Sequence, residues 1–137
     1  MGSGFEGGGG VTQTFFIPGP LPGLNTLIDA AKEQGYVRRG WNGYANAKRQ
    51  WGQSIYWEIM KVGLKPMRRV YVSFVWHEQD RRRDPDNFSS GGKKFVLDAL
   101  VKAGVLKNDG WDEIAGMSDM WKVDKKRPGV QVTLEER

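Results

Sequence analysis

The sequence contains no cysteine and a single histidine, His77, among 137 residues. The first absence excludes disulfides, thiolate zinc sites and cysteine nucleophiles together. The second argues against a histidine-built metal centre. Any metal is therefore expected to be a hard cation on carboxylates, Mg²⁺ first, with Mn²⁺ as a substitute. The lack of cysteine also agrees with a reducing compartment. Long apolar runs are missing as well: no stretch reaches the roughly 18 residues of a membrane span. No basic segment leads into an apolar one at the N-terminus, so no secretory signal is expected. Acidic residues are scarce before Glu58, whereas basic ones cluster between Arg38 and Arg49.

What is present fits one soluble globular domain. Hydrophobic residues make up 39% and charged residues 27%, a balance that supports a single modest core. Net charge is +5 and the pI is near 9.6. That excess favours a polyanionic partner, nucleic acid before an anionic membrane.

MGSGFEGGGG (1–10) is too rich in glycine to order itself cheaply and reads as a disordered leader, a remnant of cloning, outside a single domain at 11–137. VTQTFFIP (11–18) reads as a first strand, and GPLPG (19–23) breaks it. Asn25 is placed to cap a short helix, Thr26–Gln34, closed by Gly35. Ala47, Trp51, Ile55, Ile59 and Val62 recur at helical spacing over Tyr44–Val62. MRRVYVSFVWHEQ (67–79) alternates, with Val70, Val72, Phe74 and Trp76 on one face and His77 on the other. A helix over Lys93–Ala103 ends at Gly104, with Val105 set for the usual hydrophobic contact. Strands Met117–Lys122 and Gly129–Leu134 follow, joined by KKRPG. The order is roughly β-α-α-β-α-β-β, an α+β arrangement of helices on a small mixed sheet.

RRRDPDNFSSGGKK (81–94) concentrates the chemistry. Pro85 fixes its own φ and pushes Asp84 towards extended geometry, in which Asp84 and Asp86 point the same way and reach one cation. Asp109, in the NDG turn, joins them only if the chain after Gly104 runs back along the helix. Three carboxylates suit octahedral Mg²⁺, which retains waters for phosphate oxygens to replace. An EF-hand is excluded, because Ser89 and Phe95 stand where its glycine and closing glutamate belong. Lys93 and Lys94 fall at the expected helix start, where free amides behind Gly91 and Gly92 would welcome an anion. The rival role for Lys94 is an i,i+4 pair with Asp98.

Three segments, RRDPDN (82–87), KFVLDAL (94–100) and AGVLKNDG (103–110), resemble the RusA-type Holliday-junction resolvases, a family carried by many phages and prophages. The shared pattern is an arginine before D-x-D-N, a lysine four residues ahead of D-A-L, and an aspartate closing the next turn. PGPLPGLN, ending in Asn25, resembles the family's N-terminal signature. An insertion around Ser89–Gly92 departs from it and leaves Lys93 and Lys94 as rivals; the spacing to Asp98 favours Lys94. The resemblance implies a RusA-like fold and a Mg²⁺-dependent endodeoxyribonuclease, acting as a homodimer on four-way DNA junctions. It further implies a cytoplasmic location, at the nucleoid or in a phage-infected host. Asp84, Asp86 and Asp109 become metal ligands, and Lys94 the catalytic lysine. DNA contacts are expected from Arg81, Arg82, Arg83 and Lys93, and from Arg38, Arg39, Lys48 and Arg49, which are interleaved with aromatic residues suited to base stacking. Two other readings compete: a non-catalytic basic nucleic-acid binder, and a metal-dependent hydrolase of small phosphoesters.

Overall fold

The alternation of Val70, Val72, Phe74 and Trp76 becomes a central strand in a computed structural model that describes residues 10–19, 43–82 and 85–137, with 43–48 and 85–91 described as helical backbone alone. Its elements are β1 (Thr12–Pro18), α1 (Gly43–Val62), β2 (Val70–Glu78), α2 (Pro85–Lys102), β3 (Ile114–Val123) and β4 (Gly129–Glu136). The expected helix Thr26–Gln34 and its Asn25 cap lie outside the described residues.

The four strands form one sheet in the order β1-β4-β2-β3. β4 pairs antiparallel with both β1 and β2, while β2 and β3 are parallel. A parallel neighbour needs a crossover, and α2 supplies it. β3 and β4, successive in sequence, are not neighbours: the KKRPG link passes the end of β2, where Asp124 N–H donates to Glu78 C=O at 2.7 Å. Asp124 Oδ1 shapes the link by accepting from the amides of Lys126 and Arg127, each at 3.1 Å.

One face of the sheet carries Phe15, Ile17, Val70, Val72, Phe74, Trp76, Val130, Val132 and Leu134, all buried in a single core. Against it lie Ile55 and Ile59 of α1 and Phe95, Val96, Leu97, Ala99 and Leu100 of α2. Trp51 packs at the core's margin, as its place on the apolar stripe suggested. Val62 does not: it is exposed at the end of α1, where Gly63, with φ of 74°, turns the chain away. Among the described residues the other face of the sheet is polar along one row, with Thr14 and Thr133 hydroxyls 3.2 Å apart and Ser118 donating to Ser73 at 3.5 Å. No helix of the described residues is long and apolar enough to cross a membrane.

The expected helix start at Lys93 is wrong: α2 begins at Pro85. Proline is well placed as a first helical residue, since its missing N–H is one the helix leaves unbonded there. Gly91 and Gly92 are tolerated inside the helix at a cost of about 1 kcal/mol each relative to alanine. The helix ends as expected. Gly104 has φ of 79°, its N–H donates to Val101 C=O at 3.0 Å, and Val105 N–H reaches back to Leu100 C=O at 3.0 Å. Those two bonds define a Schellman cap, and buried Val105 against buried Leu100 completes it.

Candidate functional site

The early start of α2 changes the geometry of the acidic motif. Asp86 is the second residue of a helix and not part of an extended segment, so the expected alternation of Asp84 and Asp86 onto one side does not apply. Lys93 and Lys94 lie in the third turn, away from the positive end of the helix dipole. The amides behind Gly91 and Gly92 sit in the helix interior, where N–H groups donate along the helix, so the expected anion site at that point is overturned. Asp84 and Arg83 lie outside the described residues, as do Arg38 and Arg39 and the side chains of Asp86 and Lys48.

The Schellman cap turns the chain back along α2. Val105 and Leu106 bury themselves in the core, and Met67 N–H fixes the returning chain by donating to Val105 C=O at 2.8 Å. Asn108 Oδ1 then accepts the Asp109 N–H at 2.9 Å, which sets the turn. The result brings Asp109 beside Lys94: Oδ2 lies 3.4 Å from the ammonium. Asp98, one turn further along α2, holds the same ammonium at 3.0 Å. Asp86 is about 12 Å of helix rise from Lys94 in the opposite direction.

Lys94 remains more than half exposed between its two acids. Its pKa is raised above the ordinary lysine value, first by the hydrogen bond and charge of Asp98 and then by Asp109, against a small opposing effect of burial. The rival role foreseen for Lys94, an ion pair with Asp98, is therefore present; the contact with Asp109 accompanies it. Lys93 is turned elsewhere. Its ammonium makes a 2.7 Å ion pair with Asp119 Oδ2 on β3, and both side chains are mostly buried. The second oxygen of Asp119 accepts the Trp76 indole N–H at 2.9 Å.

Two further residues, Asp119 and Trp111, belong to the surroundings of this cluster without a motif to mark them. Asp119 is detectable as a lone acid between Met117 and Trp121 on the strand face that β2 uses for Phe74 and Trp76. Trp111, two residues beyond Asp109, is 95% exposed, and sequence alone carries no sign of that. Of the basic residues expected at DNA, Arg81 and Arg82 follow β2 and are exposed, with Arg82 near Asp80 at 3.5 Å; Arg49 is exposed on α1. His77 lies on the sheet face opposite Trp76. Its ring meets Phe16 edge-on, and Nδ1 is 3.6 Å from Asp124. It takes no part in the Lys94 cluster.

Among the described residues, no three His, Asp or Glu side chains are grouped to hold a metal ion. Asp98 and Asp109 are two hard oxygen donors, the ligand chemistry that Mg²⁺ prefers, but they share the lysine between them. No protein-family model matches the chain, and no curated protein matches it.

Proposed function

We propose that the protein is a Mg²⁺-dependent endonuclease that resolves four-way DNA junctions as a homodimer. The observation that carries this reading is the meeting of Lys94 with Asp109 across 15 residues of sequence, which depends on the capped helix end and the buried return of the chain. A lysine and an aspartate brought together at one exposed point suit phosphodiester chemistry better than they suit stability. An exposed ion pair contributes only about 0–1 kcal/mol.

In this reading Asp84, Asp86 and Asp109 would hold the cation, which would supply Lewis-acid polarisation of the phosphoryl oxygen and a lowered pKa for an attacking water. Lys94 donates to the non-bridging or leaving oxygen of the scissile phosphate, where negative charge develops. Its raised pKa keeps it protonated for that work. Arg49, Arg81 and Arg82 add counter-charge for the DNA backbone, together with the further basic residues named from the sequence. The RusA-like character of the fold is part of the same proposal; the mixed sheet and the crossover helix are consistent with it. For the homodimer, support comes from the outer edge of β3, which exposes Met117, Met120, Trp121 and Val123. A two-fold pair of sites suits two symmetric cuts.

The test is a labelled four-way junction beside a matched linear duplex, with and without Mg²⁺. Paired, metal-dependent nicks in the junction alone are expected, and Asp109→Asn should abolish them while leaving junction binding intact. Binding without any nicking by the wild type would reduce the protein to a non-catalytic binder. Hydrolysis of small phosphoesters, with a shallow salt dependence, would favour the second rival.

A further inference from the structure

We infer that Trp111 is a stacking platform for an unpaired DNA base, held next to the Lys94–Asp109 pair. Trp111 is 95% exposed, the most exposed large hydrophobic side chain among the described residues. An indole left in water has given up the burial that normally fixes tryptophan in a fold. The backbone beneath it, by contrast, is tightly bonded. Glu113 N–H and Ile114 N–H both donate to Gly110 C=O, at 3.2 and 3.0 Å, and Gly110 N–H donates to Glu113 Oε1 at 3.3 Å. Glu113 C=O accepts Val70 N–H at 2.8 Å, which ties the turn to the first residue of β2. A presented indole on a fixed turn is preorganised for a flat ligand.

The chemistry of the surroundings names the ligand. A shallow cavity of about 240 Å³ is lined by Asp109, Gly110, Trp111 and Ile114, so one wall belongs to the proposed catalytic aspartate. Its apolar side, Trp111 and Ile114, suits the face of a nucleobase. Lys94, more than half exposed though paired with Asp98 and Asp109, is the cation beside this wall. Stacking on aromatic rings is the sequence-tolerant way to hold a base pulled out of a helix. Gly110, with no side chain, leaves room beside the indole; the nearest atom to a Cβ there would be Glu113 Oε1 at 3.6 Å. The inference rests on the endonuclease reading for its choice of nucleic acid, and it adds a contact that reads unpaired bases at the branch point.

The experiment compares wild type, Trp111→Ala and Trp111→Phe in metal-free buffer. Three labelled probes are used: a four-way junction, a 20-nucleotide oligo-dT and a linear duplex. Trp111→Ala should weaken junction and oligo-dT binding about tenfold, the usual scale of one lost stack, and leave duplex binding unchanged. Trp111→Phe should restore most of the affinity. Oligo-dT should quench part of the wild-type tryptophan emission, and that part should be missing from Trp111→Phe. Binding of all three probes by Trp111→Ala unchanged from wild type overturns the inference, as does an equal loss on every probe. Conversion of a dimer to a monomer with DNA affinity unchanged assigns the indole to a second copy and overturns it too. If the wild type never cuts a junction but the oligo-dT effects appear, the endonuclease reading fails and the stacking platform stands. If cutting is present and Trp111→Ala binds normally, the platform alone fails.

Discussion

Removing the Asp119 carboxylate should be among the most damaging single changes outside the apolar core. The side chain sits on the helix-facing side of β3 and uses both oxygens: one accepts the Trp76 indole N–H at 2.9 Å, the other meets Lys93 Nζ at 2.7 Å. Side-chain exposures of 18% for Asp119 and 25% for Lys93 leave some water to screen the charge that remains. Breaking a fully buried ion pair from one side costs about 3–5 kcal/mol, and a hydrogen bond to a charged group is worth about 1.5–3 kcal/mol. With the partial exposure discounted, Asp119→Ala should destabilise by about 2–3 kcal/mol, a large share of the roughly 5–15 kcal/mol that holds a typical domain. For a urea m-value of about 2 kcal/mol/M, the midpoint would fall by about 1–1.5 M with m unchanged. Asp119→Asn keeps an acceptor for Trp76 and should fall between the two. Adding Lys93→Met to Asp119→Ala should recover part of the loss, because part of the cost is an ammonium stranded without its partner. A urea midpoint for Asp119→Ala within about 0.25 M of wild type, or about 0.5 kcal/mol, would refute the reasoning, as would a double variant no better than the single one.

Two further outcomes separate backbone from charge effects. Gly104→Ala meets nothing within 4 Å, so at φ of 79° it should cost only the left-handed strain of about 1–2 kcal/mol. Gly129→Ala should cost more: its φ is 150°, and a Cβ would fall 2.3 Å from Ile17 C=O and 2.6 Å from the Phe16 ring, which breaks the β1–β4 pairing. Urea titration ranks the two, and the opposite ranking would contradict this backbone geometry. Asp98→Asn removes the largest influence on Lys94 and should lower its pKa. A raised folded-state pKa gives stability that is fully present below the unfolded value and is lost as pH rises through the folded one. The Lys94 resonance in an NMR titration should therefore move to lower pH in Asp98→Asn. Asp109→Asn should move the Lys94 resonance less.

Much of the scaffold was legible from periodicity. Val70, Val72, Phe74 and Trp76 alternate into the core, Ile55 and Ile59 follow helical spacing, and Gly104 ends α2 with both bonds of the expected cap. The pattern over Met117–Lys122 marks a strand but not its full length. β3 runs from Ile114 to Val123 because it pairs with the whole of β2, a tertiary constraint that its own pattern does not carry. The return of Asp109 to α2 was legible only as a condition, since spacing permits it and the buried Val105 and Leu106 enforce it. The choice between the two lysines needed the third dimension. Lys93 and Lys94 are chemically alike in sequence, yet adjacent helix positions differ by about 100° around the axis. One is thereby aimed at Asp119 under the sheet's edge, and the other at solvent between Asp98 and Asp109.

The misplaced start of α2 has a physical moral for the motif itself. Two adjacent glycines make a persuasive stop signal, since each weakens a helix by about 1 kcal/mol against alanine. The signal was overruled because Pro85 opens the helix upstream, and Phe95, Val96, Leu97, Ala99 and Leu100 anchor it downstream in the core. Helix propensity is a sum over the whole element, and a weak centre is carried by firm ends.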